Sequence, residues 1–398
     1  MFEDLRGFLA HLDRQGQLLH VKDEVDVKYE IAAGMRKTSD IEGPALLFEN
    51  IRGYRGWRVL GGLFATRKLV ALGLGVPQEQ MLERYLTLED QRIPPEPVST
   101  GPVKEIKWTG SQIDLTKIPI VTHASKDCGP YVTIGVQIGK DPDSGVRNLS
   151  IHRMLVLGRD RLSLWAPADH HLGRMILKAE EKGRGLEVAT AVGVDPAVIV
   201  ASQAKVPYGI DEFYVAGGLR GGAVKLVKCE TIDVEVPAFA EVVIEGVTIP
   251  GERVADGPYG EYPGCYSEAK QAPVLKVTAI TMRQNPIWPV SSVRRMKIMS
   301  PRSGACRLSL KRLGIGRRRG AASPSAWVRT RRAAMYWSER LCSSRTLPTR
   351  CRRQTLACHK PLRLSMVFCM PCSSGGTNTG ITSSAKHRRL MRPTALGN

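Results

Sequence analysis

The last quarter of the sequence has almost no acidic residues. Residues 291–398 contain 24 of the 58 lysines and arginines but only one of the 38 acids, Glu339. Residues 1–290 hold the remaining 34 basic and 37 acidic side chains. The formal charge is therefore −3 in the first part and +23 in the last 108 residues. The excess of positive charge therefore belongs to residues 291–398 alone. It does not indicate that the chain as a whole binds nucleic acid or an anionic membrane.

Long apolar runs and a secretory leader are also absent. No 18 apolar residues follow one another, and the start of the chain, Met1–Arg6, lacks a basic segment followed by an apolar one. Neither a transmembrane helix nor a signal peptide is predicted. Residues 1–290 contain only Cys128, Cys229 and Cys265, which is typical of a reducing compartment. The sequence predicts a soluble, cytoplasmic protein.

The basic tail, residues 291–398, allows three interpretations. One is a nucleic-acid-binding arm, since clustered arginines neutralise phosphates. Another is a disordered segment without a function. The third, which the composition favours, is a change of reading frame near Ser291, because out-of-frame reading of a GC-rich gene yields Arg, Ser, Pro, Ala and Cys with few acids. A zinc site in the tail is disfavoured because no second well-spaced pair of ligands supports it. Its ligands would come from Cys351, Cys358, His359, Cys369 and Cys372.

Residues 1–95 are predicted to form a small α/β unit. An amphipathic helix is indicated by apolar residues at helical spacing before Gly16, namely Phe2, Leu5, Phe8, Leu9 and Leu12. The pattern predicts three further helices and three strands in this unit. The helices are expected at residues 29–37, 66–73 and 77–90, and the strands at 18–21, 45–48 and 57–63.

A proline-rich linker, Ile93–Pro97, spans the boundary before the second region, residues 96–290. Short β-rich segments predominate beyond it, at residues 103–108, 131–139, 153–157, 162–165, 188–192, 224–227, 241–244 and 274–282. Helices are expected only at residues 171–182 and 211–217. Many short strands with few helices favour a barrel-like β domain. The predicted fold class is therefore α+β, with residues 291–398 unassigned.

Asn148, His171 and Glu212 offer a mixed nitrogen and oxygen ligand set. An amide, an imidazole and a carboxylate suit Mn²⁺ or Mg²⁺ and are too poor in sulfur for a structural zinc. Each residue also has an ordinary explanation: Asn148 as a turn residue, His171 as the start of a helix, and Glu212 as a first-turn acid. Spacing alone favours those explanations over a metal site.

Arg153, Asp256 and Glu261 form a second set. The two acids are separated by a Gly-Pro-Tyr-Gly turn that can direct both carboxylates into one cavity. A nearby arginine would keep one acid ionised, while burial would raise the pKa of the other, which could then donate a proton. A surface turn with two solvated acids is an equally good explanation of the same residues.

Four segments, in their order and intervals, resemble the UbiD family of decarboxylases, which use prenylated FMN: residues 148–153, 168–173, 207–221 and 256–262. The resemblance covers residues 1–290. It implies a split β-barrel that binds the cofactor over residues 96–290. It also implies a divalent metal on Asn148, His171 and Glu212, with a monovalent cation such as K⁺ nearby. The further residues implied to contact the cofactor are Ser150, Ile151, His152, Arg153, His170 and Ser202.

The resemblance assigns catalysis to Arg153, Asp256 and Glu261, with Glu261 as the proton donor. Asp256 stands where the family has a glutamate, so direct contact with Arg153 requires a closer backbone or a bridging water. The implied reaction is the reversible, non-oxidative decarboxylation of an aromatic or α,β-unsaturated acid. A flavin prenyltransferase would supply the cofactor.

The family's last domain, which forms oligomer contacts, has no counterpart in residues 291–398. Impaired turnover and an exposed interface are therefore expected of this chain. Two alternatives remain: a nucleic-acid-binding protein acting through the tail, and a metal-dependent hydrolase using the same three ligands.

Overall fold

The computed structural model describes residues 2–261 and 265–291. The interpretations of the tail, the zinc site considered in it and the expected impairment concern residues outside these ranges, as does Tyr262 of the fourth segment. The division of the chain at residues 95 and 290 stays a prediction.

Seven α-helices lie in the described part of the chain. They are α1 Leu5–Arg14, α2 Glu30–Asp40, α3 Arg67–Gly73, α4 Met81–Glu89, α5 His171–Glu181, α6 Pro196–Ala201 and α7 Glu212–Arg220. Four short 3-10 turns accompany them, at Gln78–Gln80, Pro102–Lys104, Gly110–Gln112 and Leu115–Lys117. All helices expected from the sequence are present, and α6 is an addition to them.

Helix α1 illustrates why the pattern predicts the helices well. The carboxylate of Asp4 accepts a hydrogen bond from the backbone nitrogen of Gly7 at 2.7 Å, which satisfies a free donor of the first turn. The predicted apolar stripe is buried from Leu5 to Leu12. Gly16 has a φ of 61°, a left-handed conformation that ends the helix.

Eighteen strands, numbered along the chain, lie in the same part of the structure. They are β1 Leu18–Val25, β2 Ala45–Ile51, β3 Arg58–Gly61, β4 Glu96–Pro97, β5 Ile106–Thr109, β6 Tyr131–Val132, β7 Val136–Lys140, β8 Arg147–Ile151, β9 Met154–Leu155, β10 Arg161–Ser163, β11 Glu187–Val192, β12 Lys225–Lys228, β13 Glu235–Pro237, β14 Val242–Asp256, β15 Tyr259–Gly260, β16 Tyr266–Ser267, β17 Lys270–Met282 and β18 Ile287–Val290.

The first sheet has four strands in the order β1-β2-β3-β18. Strand β2 is parallel to β1 and antiparallel to β3, while β18 is parallel to β3. Both faces of this sheet are covered, because Leu47 packs in one apolar cluster and its neighbours Leu46 and Phe48 pack in another. A strand from the end of the second region thus completes the sheet of the first.

The second sheet is antiparallel and follows the path β10-β17-β14-β11-β7-β8, with β5 also paired to β17. Its two end strands, β10 and β8, do not pair with each other in the described part of the chain. The α+β class is confirmed, but these sheets do not close into the barrel that the strand pattern suggested. Strands β14 and β17 are long and strongly paired, so they form the centre of an open sheet.

Smaller sheets complete the fold. Strand β4 at the end of the linker Ile93–Pro97 pairs with β12, which also pairs with β13. Proline is tolerated there because β4 is an edge strand. Strands β6 and β9 form one short ribbon, and β15 and β16 another. Arg153 directly precedes β9, and Glu261 directly follows β15.

Candidate active site

Arg153 lies between β8 and β9, and its guanidinium bridges two carboxylates. Its Nε donates a hydrogen bond to Oδ1 of Asp256 at 2.8 Å, and its Nη1 donates to Oε1 of Glu261. Burial lowers the pKa of Arg153, but the charges of the two acids outweigh burial, so the pKa lies above its ordinary value. The structure therefore brings together all three residues of the second set around a permanent cation.

Asp256 is the last residue of β14 and is fully buried. Besides the bond from Arg153, it accepts one from the hydroxyl of Ser163 at Oδ2 and one from the hydroxyl of Tyr131 at Oδ1, the latter at 3.4 Å. Pairing of Asp256 with Lys270 of β17 fixes its backbone. The shorter acid reaches Arg153 directly, without a bridging water.

Glu261 occupies a more open position than Asp256. Its side chain is 30% exposed, against 0% for Asp256. The residue follows β15, and its backbone nitrogen donates to the carbonyl of Cys265 at 2.8 Å. The guanidinium of Arg153 thus contacts one buried carboxylate, Asp256, and one that solvent can reach, Glu261. This difference in exposure suits two different roles in proton transfer.

Aromatic rings surround the guanidinium of Arg153. It lies 4.8 Å from the ring centre of Tyr259 and 5.7 Å from that of Trp165, both within cation–π range. The Nη2 of Arg153 is buried and has no hydrogen-bond partner among the described residues. A buried donor without an acceptor costs about 1–3 kcal/mol, a cost that an acceptor brought by a ligand would offset.

A clamp made by Asp127 positions the loop that carries Glu261. One oxygen of Asp127 accepts a hydrogen bond from the backbone of Gly260 and the other from that of Ala124, both at 2.8 Å. The loop begins at Gly257, whose φ of 123° is accessible only to glycine. Two acids five residues apart can therefore meet one arginine because the turn between them is fixed at both ends.

Asn148 and Glu212 of the metal set are in direct contact. The amide nitrogen of Asn148 donates to Glu212 at 2.9 Å, and the backbone nitrogen of Leu149 donates to its second oxygen at 2.7 Å. Burial raises the pKa of Glu212 to about 8. A buried carboxyl in this state gains from a cation, and each of its oxygens retains a lone pair for one.

His171 begins α5, as Glu212 begins α7, and both helices contact β8, the strand of Asn148. The ring of His171 meets the ring of Tyr208 edge-on, with centres 5.2 Å apart. Burial lowers its pKa, which keeps a nitrogen lone pair available. No hydrogen bond among the described residues joins His171 to the other two. Amide, imidazole and carboxylate on three adjoining elements fit a divalent cation.

The remaining cofactor candidates lie around the same strand. Ser150 donates to the side-chain oxygen of Asn148 at 3.3 Å, and Ile151 is half-buried at the end of β8. The rings of His152 and His170 are 5.6 Å apart. Ser202 donates its hydroxyl to the helix carbonyl of Ile199.

Buried His152 is the most informative of these candidates. Burial lowers its pKa to about 4, and its Nε2 has no partner among the described residues. A second buried polar atom without a partner in the described ranges therefore lies on the residue before Arg153, and a polar group of a ligand would satisfy it.

Two family models match the chain. The N-terminal domain of 3-octaprenyl-4-hydroxybenzoate carboxy-lyase matches residues 9–88, and the Rift-related domain of that enzyme, named UbiD, matches residues 96–296. The chain belongs to the UbiD family. Its α+β fold is accordingly the UbiD fold.

Solved structures similar to this UbiD chain extend the comparison. An evolved dimeric form of the UbiD-class enzyme HmfF from Pelotomaculum thermopropionicum, in complex with prFMN, is 42% identical with a TM-score of 0.74, covering 78% of this chain and 73% of that one. The closed vanillic acid decarboxylase of Sedimentibacter hydroxybenzoicus is 32% identical with a TM-score of 0.71, covering 74% and 65%. The apo 3,4-dihydroxybenzoic acid decarboxylase of Enterobacter cloacae is 29% identical with a TM-score of 0.73, covering 78% and 70%.

A curated relative is the Synechocystis protein sll0936, which is 32% identical over 312 residues. The match covers 72% of this UbiD chain and 62% of that protein, so the chain spans less than two thirds of this relative's length. Among the helices of the described ranges, none is both long and apolar enough to cross a membrane.

The residues that hold Asp256 and its loop in place were not predicted from the sequence of this UbiD chain. Ser163 and Tyr131 fell within predicted strands, and Asp127 fell in a loop without a motif. Nothing in their local pattern distinguishes them from ordinary strand and loop residues, because they meet Asp256 and its loop only after the sheet has formed.

Proposed function

We propose that this UbiD-family chain catalyses the non-oxidative, reversible decarboxylation of an aromatic or α,β-unsaturated carboxylic acid with prenylated FMN. The observation that carries the proposal is the buried Arg153 held between Asp256 and Glu261. Family membership, the similarity to a vanillic acid decarboxylase and the similarity to a UbiD-class enzyme solved with prFMN support it. No observation in the described part of the chain favours nucleic-acid binding or hydrolysis instead.

Prenylated FMN, when bound, supplies the electron sink that loss of CO₂ from an sp² carbon requires. The residues of this chain contribute orientation. The buried, unpartnered Nη2 of Arg153 would donate to a substrate carboxylate that enters beside it, since a guanidinium presents several coplanar donors. Tyr259 and Trp165 line the guanidinium with apolar surface, which limits the contact of water with the buried pair of Arg153 and Asp256.

Glu261 is the proton donor in this proposal, and Asp256 is the fixed carboxylate. The partly exposed Glu261 can exchange its proton with solvent and reach a substrate, whereas Asp256 is sealed and fully hydrogen-bonded. The proton of Glu261 replaces CO₂ at the same carbon, and Arg153 stabilises the carboxylate that remains. The reverse path would carboxylate the product at high CO₂.

Asn148, His171 and Glu212 would hold a divalent metal, Mn²⁺ or Mg²⁺, that binds the phosphate of the cofactor. The contact of Asn148 with Glu212 and the raised pKa of Glu212 support this assignment, because a cation would offset the burial of that carboxyl. Ser202 would lie near an accompanying K⁺. These assignments, with the cofactor contacts of Ser150, Ile151, His152 and His170, are proposals.

The proposed setting follows from the proposed chemistry. A flavin prenyltransferase is the partner that supplies the cofactor, the substrate is a small carboxylic acid, and the protein is cytoplasmic. The homo-oligomer expected for the family requires the last domain, which residues 291–398 do not match. Neither nucleic acid nor a membrane takes part.

Measurement of CO₂ release after co-expression with a flavin prenyltransferase tests the function. A panel of aromatic and acrylic acids is supplied to the purified full chain. Glu261→Gln is expected to reduce the rate by about 10²–10⁴-fold, the range of general acid catalysis. Glu252→Gln is the matched control, since Glu252 lies on β14 and pairs with Arg161 at the surface. Slow CO₂ release by the wild type would agree with the impairment expected from residues 291–398. Turnover that survives Glu261→Gln unchanged would refute the role of Glu261, and wild-type protein that releases no CO₂ at all would refute the function.

A further inference from the structure

We propose that Ser163 and Tyr131 are positioning residues, which fix the carboxylate of Asp256 and through it the orientation of Arg153. Both hydroxyls donate to Asp256, one to each of its oxygens. Neither residue contacts Glu261 by a hydrogen bond within the described residues. The kinetic consequence of this inference rests on the proposed decarboxylase function, whereas the coupling between the residues does not.

The hydroxyl of Ser163 has one orientation that satisfies its surroundings. Ser163 is fully buried, and its oxygen accepts a hydrogen bond from the backbone nitrogen of Leu155 at 2.9 Å. Its single proton is then directed to Oδ2 of Asp256. Ser163 lies on β10 and Leu155 on β9. The carboxylate of Asp256, which itself lies on β14, is therefore held in place by two further strands.

Tyr131 approaches the other oxygen of Asp256. Its hydroxyl lies 3.4 Å from Oδ1 and 3.0 Å from the sulfur of Cys128, and its ring centre is 4.4 Å from that of Tyr259. Burial raises the pKa of Tyr131 well above its ordinary value, so the residue stays neutral and keeps its donor. Tyr131 pairs with Leu155 across β6 and β9, which connects it to the amide that orients Ser163.

Occupation of both oxygens prevents the carboxylate of Asp256 from rotating. Oδ1 then stays 2.8 Å from Nε of Arg153, which fixes the plane of the guanidinium. With that plane fixed, Nη1 faces Glu261 and Nη2 remains without a protein partner. Asp256 can contact Arg153 directly despite its short side chain, because residues on four strands, β6, β9, β10 and β14, fix the position of its carboxylate.

Unfolding of variants tests the coupling without any need for turnover. Ser163→Ala is combined with Asp256→Asn and, separately, with Arg153→Ala, and the denaturation midpoint of each full-length protein is measured. Ser163→Ala is expected to lower the midpoint in the wild type and to lower it clearly less in both other backgrounds. Equal effects in the Arg153→Ala background and the wild type would overturn the inference, since Ser163 would then act on Asp256 alone or on neither.

Tyr131→Phe provides a second route to the same answer. It removes only the hydroxyl, and its effect is also expected to shrink in the Asp256→Asn background. An undiminished effect there would show that Tyr131 does not act through Asp256. Thr281→Val is the matched control, because Thr281 is buried on β17 and its hydroxyl has no partner in the described part of the chain.

Kinetics add the readout that a purely structural role would not change. Ser163→Ala is expected to lower kcat/KM by roughly tenfold at a temperature where the protein is fully folded, as misorientation of a substrate-binding arginine predicts. Thr281→Val should leave kcat/KM unchanged. A Ser163→Ala protein that is destabilised but has wild-type kcat/KM would overturn the positioning role. If the wild type lacks turnover, the proposed function fails, and the unfolding comparison still decides the coupling.

Discussion

Arg6 on the first helix donates two hydrogen bonds to the two carboxylate oxygens of Glu241, at 2.7 and 2.8 Å, across 235 positions of sequence. Glu241 is fully buried and also accepts a hydrogen bond from the backbone nitrogen of Ile287 at 3.0 Å. One carboxylate therefore joins α1, the start of β14 and the start of β18. The helix that opens the described chain is attached to the central sheet by a charge rather than by apolar contact alone.

Arg6→Ala is expected to destabilise the fold by about 3 kcal/mol, because it leaves a buried carboxylate without its main cation. Arg283, 3.5 Å from Glu241, limits the loss. Denaturant unfolding measures the change. Arg36→Ala is the control, since its pair with Asp40 is exposed and contributes at most about 0.5 kcal/mol. Equal effects of the two substitutions would contradict a special role for Glu241.

Arg153→Lys is expected to reduce kcat/KM by about 100-fold while the protein stays folded. A lysine keeps the charge but presents one ammonium, so it cannot contact Asp256 and Glu261 at once and leave a further donor free. Steady-state kinetics on a substrate found in the CO₂ assay measure the loss. Activity within threefold of the wild type would show that charge alone suffices.

Glu212→Gln is expected to weaken Mn²⁺ binding by at least about tenfold, since it removes the only acid of the candidate metal set. Dialysis against Mn²⁺ followed by elemental analysis measures the bound metal. Glu24→Gln is the control, because Glu24 is an exposed acid on β1 of the first sheet that pairs with Arg52. Equal metal content in the two variants would place the metal elsewhere or exclude it.

Buried His152 predicts a loss of stability in mild acid. Its pKa falls from 6.5 to about 4 in the folded protein because burial disfavours the cation. Below pH 6.5 the unfolded chain therefore binds more protons at His152 than the folded chain does. The free energy of unfolding is unaffected by this group above pH 6.5 and falls by up to about 3 kcal/mol as the pH is lowered to 4. His152→Phe should flatten this part of the stability profile. An identical slope in variant and wild type would refute the assignment.

Gly218→Ala is expected to separate α7 from the end of α4. A Cβ on Gly218 would lie 2.0 Å from the carbonyl oxygen of Gln91 and 2.5 Å from that of Leu88, both rigid backbone atoms. Helix α7 begins with Glu212, so lower stability should be accompanied by weaker metal binding. Gly222→Ala, with open space at its Cβ, is the control. A stable Gly218→Ala protein would show that the helices adjust freely.

The sequence predicts those parts of the fold whose pattern is local. Helix α1 follows from its apolar stripe, whereas α6 was missed because Asp and Pro in succession, here Asp195 and Pro196, are also common in turns. They form instead an N-cap and first turn of a helix that is apolar all round. The second part of β14, residues 247–256, was missed because only Thr248 and Asp256 are buried there, so the segment lacks an alternating apolar pattern. Spacing alone left Arg153, Asp256 and Glu261 undecided, and only the order of four segments favoured them. Their contact depends on strand pairing, which no short window contains.

The pairing of β18 with β3 has a consequence for how the chain is synthesised. Strand β3 ends at Gly61, and its second neighbour begins at Ile287, so a ribosome must add more than 200 residues before that edge is covered. A parallel neighbour cannot arrive by a hairpin, and long-range pairing of this kind is slow. Until then the nascent first sheet exposes a hydrogen-bonding edge, which invites pairing with other chains. The first sheet is therefore complete only after β18 has been synthesised.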